Sequence, residues 1–418
     1  MNILLKAAKI LDATSPHHQT VQDIYIENGV IKSIGKRLSY PNATQISVKD
    51  LHISQGWFDS NVSYGEPGFE ERETIFHGLQ VAAKSGFTHI AYNTNTSPKP
   101  DSRADITFLF EQAIESPVKL LPKACITSAE NPSKLAPLRE LHAAGVKCFS
   151  NHKDPITNAN TLKLALQYTT DFGGLIESFP FNKDLANTGV MHEGIVSTSL
   201  GLRGIPSVAE ELQLKRDLGV LEYVKGKLHI PTVSTASAVQ LIKAAKKANL
   251  DVSCSVSIHH LLFTDEALQS FDANAKLLPP LRNSSDRKAL RAALMDGTID
   301  MVTSDHQPLN SELKAVELDR AHYGSLGLEH SFGSLLSLFP IEKVVELLTR
   351  GKKRFDIDEH PIAEGAIADL TLFSPNGKHK VSKTSLLSTS KNSLFIGEEL
   401  SGTVFGVISR GKIQVHTT

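Results

Sequence analysis

The chain has 418 residues with 44 Lys plus Arg against 45 Asp plus Glu, so it exceeds one average domain and carries no charge excess that would draw a polyanion. No basic run marks a nucleic-acid surface, and no apolar stretch approaches the length of a membrane span. Cys125, Cys148 and Cys254 are widely separated, which argues against a disulfide framework, and Lys6 and Lys9 interrupt an N-terminus with no small-residue cleavage site, so the chain reads as cytoplasmic.

Residues 1 to about 50 read as β. The run from Asp23 to Ile34 alternates on both sides of Asn28-Gly29, the dipeptide suited to a two-residue hairpin turn. The C-terminus repeats the pattern in Ala368–Phe373 and Val404–Val415. Residues 1–50 and 365–418 are therefore expected to form one composite β-sandwich domain. Between them, over 51–364, eight short apolar strand candidates at 56–63, 87–94, 119–127, 144–151, 173–178, 228–234, 251–258 and 300–306 alternate with helical patterns. Examples of helical spacing are Ile75, Leu79, Ala82 and Ala83 before Gly86, and Val239, Leu241, Ile242 and Ala245 before Asn249. Eight strand–helix units predict an α/β fold built on a (β/α)8 barrel. The segment 179–227 is longer than an ordinary connection and carries a helix over 207–221.

The stretch Gly56-Trp57-Phe58-Asp59-Ser60-Asn61-Val62-Ser63-Tyr64-Gly65-Glu66-Pro67-Gly68 has an apolar entry and then polar residues at every second position, so Asp59, Asn61 and Ser63 share a face. It resembles the first barrel strand of the dihydroorotases, in the metal-dependent amidohydrolase superfamily, where the pattern runs Gly-Phe-x-Asp-x-His-x-His-x-Arg-Glu-Pro-Gly. Further resemblance lies in Asn93-Thr94, Val233-Ser234-Thr235, His259-His260-Leu261, Pro279-Pro280-Leu281-Arg282 and Asp305-His306, and Gly365–Leu370 resembles the family's return into its sandwich. It runs along nearly the whole chain.

What the resemblance implies for the site is a series of losses. A hydrolytic zinc centre needs at least three protein ligands and lowers the pKa of its water to about 7. Asn61 and Ser63 stand where the family places its first two zinc histidines, Asn151 stands for an aspartate, and Ser178 and Thr232 stand for histidines. Strand four reads Phe149-Ser150-Asn151-His152-Lys153 against the family's Phe-Ser-Asp-Asp-Gly. Only Asp305, the metal-binding and proton-shuttling position, keeps its residue type. Of the expected substrate contacts Asn93 survives, while Gly65 replaces an arginine and Leu309 a histidine.

The resulting expectation is an inactive dihydroorotase-like protein without zinc, homo-oligomeric and serving aspartate transcarbamoylase as an assembly partner. One alternative is an active dihydroorotase or related cyclic-amide hydrolase with an atypical site, its metal held near His152, His260, Asp305 and His306. Another is a small-molecule sensor whose pocket is lined by Asn93, Asn61, Ser63, Ser178 and Thr232. Asp305 itself reads as a structural hydrogen-bond acceptor, replaceable by Asn at about 1 kcal/mol.

Overall fold

The structure, a computed structural model, describes residues 1–416, so the last two residues of the expected 365–418 segment lie outside it. Eight strands form the barrel: Trp57–Val62, Phe87–Tyr92, Lys119–Pro122, Cys148–Ser150, Leu175–Glu177, Lys227–Ile230, Val252–Ser257 and Met301–Thr303. Seven fall inside their expected ranges, and the sixth, Lys227–Ile230, begins one residue before its range of 228–234. Neighbours pair in parallel, and bridges from Val62 to His306 and from Ala124 to Phe149 join the two halves into a closed ring.

The helices between them follow from local signals. Thr74 caps the helix Ile75–Lys84 by accepting from the His77 amide, and Thr235 does the same for Ala236–Lys247 through Ala238. Both helices bury the apolar side chains named from spacing, except that Leu241 is only half-buried, and both end in lysines, which suit the negative end of the helix dipole. The long connection holds a two-stranded parallel ribbon of Met191–His192 and Gly204–Ile205, followed by the helix Val208–Val224.

Strands from both termini form a second layer, hydrogen-bonded as a single eight-stranded sheet. His52–Gln55, just past residue 50, runs in this sheet between Asn2–Ile10 and Leu370–Lys380. The expected hairpin is present, with Glu27 opposite Val30 and both Asn28 and Gly29 at positive φ (50° and 78°), as a type I′ turn requires. This sheet has its own core, including Ile3, Leu5, Ile24, Ile53, Leu370 and Phe405, separate from the barrel's.

Inside the barrel, the floor is a buried apolar layer of Phe58, Ala91, Cys148, Leu175 and Met301, with Phe355 and Ile357 packed against it. Hydrophobic filling at this end leaves the C-terminal ends of the strands as the polar end.

Candidate active site at the barrel mouth

Asp305 follows the eighth strand and is 3% exposed. Its two oxygens are both occupied. Asn61 Nδ2 donates to Oδ1 at 2.8 Å, and Lys153 Nζ donates to Oδ2 at 2.9 Å and to Gln307 Oε1 at 3.4 Å. Burial pushes the Asp305 carboxyl above the ordinary aspartate range, with Lys153 pulling against it. Asn61 and Asp305 thus meet across the closing seam, and a side chain from the loop after strand four supplies the cation. Lys153, which sequence reasoning passed over, is the residue that completes this arrangement.

The other expected pocket residues divide. Ser63 donates to Asn95 Oδ1 at 2.9 Å and accepts from Asn93 Nδ2 at 3.0 Å, so Asn93 and Ser63 are brought together on strands one and two. Ser178 is not part of that group. Its hydroxyl donates to Asp217 Oδ2 at 2.7 Å, on the helix Val208–Val224, because the alternation along strand five turns the preceding Glu177 inward instead. Ser178 as a pocket residue is therefore a correction. Asn151 is also committed elsewhere: its Oδ1 accepts from the Ile126 amide at 2.9 Å and its Nδ2 donates to Thr127 Oγ1 at 3.0 Å. Thr232 is buried with its Oγ1 unpartnered within the protein, as are Asn93 Oδ1 and His152 Nε2. Its φ of 51° is a left-handed conformation, a strained one for a β-branched residue, and His152 (55°) and Asp305 (48°) share it.

The substitute cluster does not assemble. His260 Nε2 faces the carbonyls of Pro279 and Pro280 at 3.2 Å, whereas His306 Nδ1 accepts from the amides of Gly327 and Leu328 at 3.3 and 3.4 Å. Among the described residues no three His, Cys, Asp or Glu side chains are grouped as a metal site would need. The donor set around Asp305, an amide and an ammonium, does not fit zinc.

Below the mouth lies a second feature missed from sequence. Lys123 Nζ donates to both oxygens of Glu177, at 2.9 and 2.7 Å, and Ser150 Oγ donates to Oε1 at 2.8 Å, all within the barrel and nearly inaccessible. The signal was available: a Lys and a Glu at the ends of strands three and five sit at inward positions of a barrel. Cys148 is near this pair, and burial raises its thiol well above the ordinary range; Cys125 is pushed up to about 12. Neither thiol has the lowered pKa of a nucleophile.

The motifs that persist prove to be those that hold shape. Glu66 Oε2 accepts from the Ile75 amide at the start of a helix, and its carbonyl accepts from Tyr92 OH at 2.6 Å. Glu210 accepts from the Ser234 amide and hydroxyl and pairs with the buried Arg282. His259 bridges Ser257 Oγ and the Leu326 carbonyl.

A closed parallel barrel with a sheet layer from both termini and a polar mouth where strands one, four and eight meet is an amidohydrolase-type fold. L-hydantoinase from Arthrobacter aurescens superposes with a TM-score of 0.84 at 21% identity, covering 99% of this chain and 97% of that one. D-hydantoinase from Thermus sp. also gives 0.84, at 22% identity and 99% and 95% coverage. Residues 52–238 match the family described as dihydro-orotase-like. A dihydroorotase of Pelotomaculum thermopropionicum is 35% identical over 100% of this chain and 99% of its own length, and one of Geobacter metallireducens is 34% identical over 99% of each. The chain belongs to the dihydroorotase family.

Proposed function

We propose that this family member is catalytically inactive, binds no catalytic zinc, and serves as an assembly partner of aspartate transcarbamoylase. The observation that carries the first part is the clasp on Asp305. A metal-binding or proton-shuttling carboxylate must face a cationic metal or a reacting group, and here its two oxygens face the amide of Asn61 and the ammonium of Lys153. A partner role is supported by what has been kept. The Glu66, Glu210–Arg282 and His259 ties preserve the barrel's outline, while the side chains that would do chemistry are replaced. In the family that the motifs resemble, some members assemble noncovalently with that transferase, and inactive ones persist because it needs them.

Zinc analysis of protein purified without chelator, run beside a dihydroorotate hydrolysis assay, tests the first part; well under one zinc per chain and background turnover are expected. Sedimentation of the protein alone and with the transferase tests the second, with a homo-oligomer and then a larger joint species expected. Stoichiometric zinc with turnover, or two independently sedimenting peaks, would overturn the respective part.

The sensing alternative has one observation in its favour: the buried polar atoms of Asn93, Thr232 and His152 lack a protein partner at the mouth. A rise in thermal midpoint with a pyrimidine-pathway acid would support it.

A further inference from the structure

A cavity of about 540 Å³ opens beyond the eighth strand, lined among others by Glu71, Asp272, Leu309, Lys314, Lys383 and Lys391. Lys314 is 7% exposed, yet no carboxylate lies within ion-pair distance of it among the described residues. Its Nζ instead donates to two backbone carbonyls, Ala273 O at 2.6 Å and His322 O at 2.9 Å. A neutral amine has two hydrogens and one lone pair. Two carbonyl acceptors satisfy both hydrogens and leave the lone pair free on a side chain that lines the cavity. The same geometry gives an ammonium no counter-ion, which favours the neutral form.

The charges around Lys314 agree. Burial lowers its pKa to about 7; Asp272 pulls upward, and Lys276 and Lys153 push downward. Across the cavity, Glu71 comes from the loop after strand one, and Lys383 and Lys391 from a C-terminal segment. Lys391 spends two of its hydrogens on the carbonyls of Leu386 and Ser388, and Lys383 is exposed. Near neutral pH the neutral amine is therefore far more populated at Lys314 than at an ordinary lysine, which titrates near 10.4.

We infer that Lys314 is a nucleophilic lysine that condenses with a small carboxylate-bearing aldehyde or keto acid admitted to this cavity. The lone pair attacks the carbonyl carbon and a C–N bond forms. The carbonyl oxygen takes one hydrogen from nitrogen and one proton from solvent and leaves as water. The iminium that results keeps one N–H for a backbone carbonyl and carries the positive charge that the consumed proton brought. Lys383, and the third hydrogen of Lys391, supply the cationic side for the carboxylate.

The test uses the full-length wild-type protein. Glyoxylate with cyanoborohydride, which reduces the iminium to a stable secondary amine, is applied at pH 7, and modified peptides are mapped by mass spectrometry. Lys314 is expected to label at least about tenfold faster than Lys383, which lines the same cavity but is exposed, with the ratio shrinking as the pH approaches that of an ordinary lysine near 10.4. Labelling that follows exposure, with Lys314 among the slowest, would overturn the inference. The carboxylate is read separately: Lys383→Ala is expected to reduce the preference of Lys314 for glyoxylate over formaldehyde, and an unchanged preference overturns the assigned ligand class.

Discussion

Lys153 Nζ sits 2.9 Å from Asp305 Oδ2, with the two side chains 10% and 3% exposed. In a site so dry, removing one partner leaves a buried charge with nothing opposite it. Lys153→Met should therefore destabilise the protein by about 3–5 kcal/mol. Asp305→Asn should exceed the roughly 1 kcal/mol expected of a neutral acceptor, since it strands the ammonium. The double variant should recover much of either loss. Urea unfolding of all three measures this, and additive single effects would show that the pair is not coupled.

Putting histidines back at the family positions should not revive hydrolysis. Asn61→His with Ser63→His returns two imidazoles, but Lys153 still holds Asp305, and Asn151 is still tied to the loop at Ile126 and Thr127. The double variant is expected to remain at background in a dihydroorotate assay. Measurable turnover would mean that other residues already complete a site.

Chelation should be without effect on stability. Asp305, Asn61, Ser63 and Asn93 are hydrogen-bonded to protein groups, so no cluster of like charges waits at the mouth for a metal. On the proposed metal-free reading, excess chelator should leave the thermal midpoint where it was, since a ligand that is not bound shifts no equilibrium on removal. A fall of many degrees in a differential scanning trace would reveal a structural metal.

Acid should weaken the fold earlier than carboxylates alone would. Burial lowers His89 and His260 from 6.5 to about 4, and His330 to about 3. In the unfolded chain these rings take protons near pH 6.5, whereas in the folded protein they resist until pH 3 to 4. Their contribution is thus present in full above about pH 6.5 and declines as the pH falls, by about 1.4 kcal/mol per pH unit for each. Urea midpoints at pH 7.5, 6 and 5 should drop in order. A flat profile across that range would contradict the assignment.

Much of this was legible in the sequence because it rests on periodicity. Strand alternation and helical spacing located the barrel strands, and Asn28-Gly29 located its hairpin, since each is set by residues close together in the chain. Ser178 was misplaced because a strand's direction is fixed only by its neighbours, and a one-residue difference moves a side chain to the other face. Lys153 was overlooked because its partner lies 152 positions away. Yet the same short motif carries Asn151 where the resembled family has an aspartate and Lys153 two residues on, which reaches Asp305 across the barrel. A buried carboxylate calls for a cation opposite it.

The left-handed backbone at Thr232, His152 and Asp305 has its own sequel. Distorted backbone of this kind costs of order 1–3 kcal/mol per residue and is ordinarily retained because chemistry demands it. Residues tolerant of positive φ, Asn or Gly, are therefore admissible at Thr232 on backbone grounds. Substitution at Thr232 thus probes the backbone of the mouth without touching the Lys153–Asp305 pair, whose members hold each other.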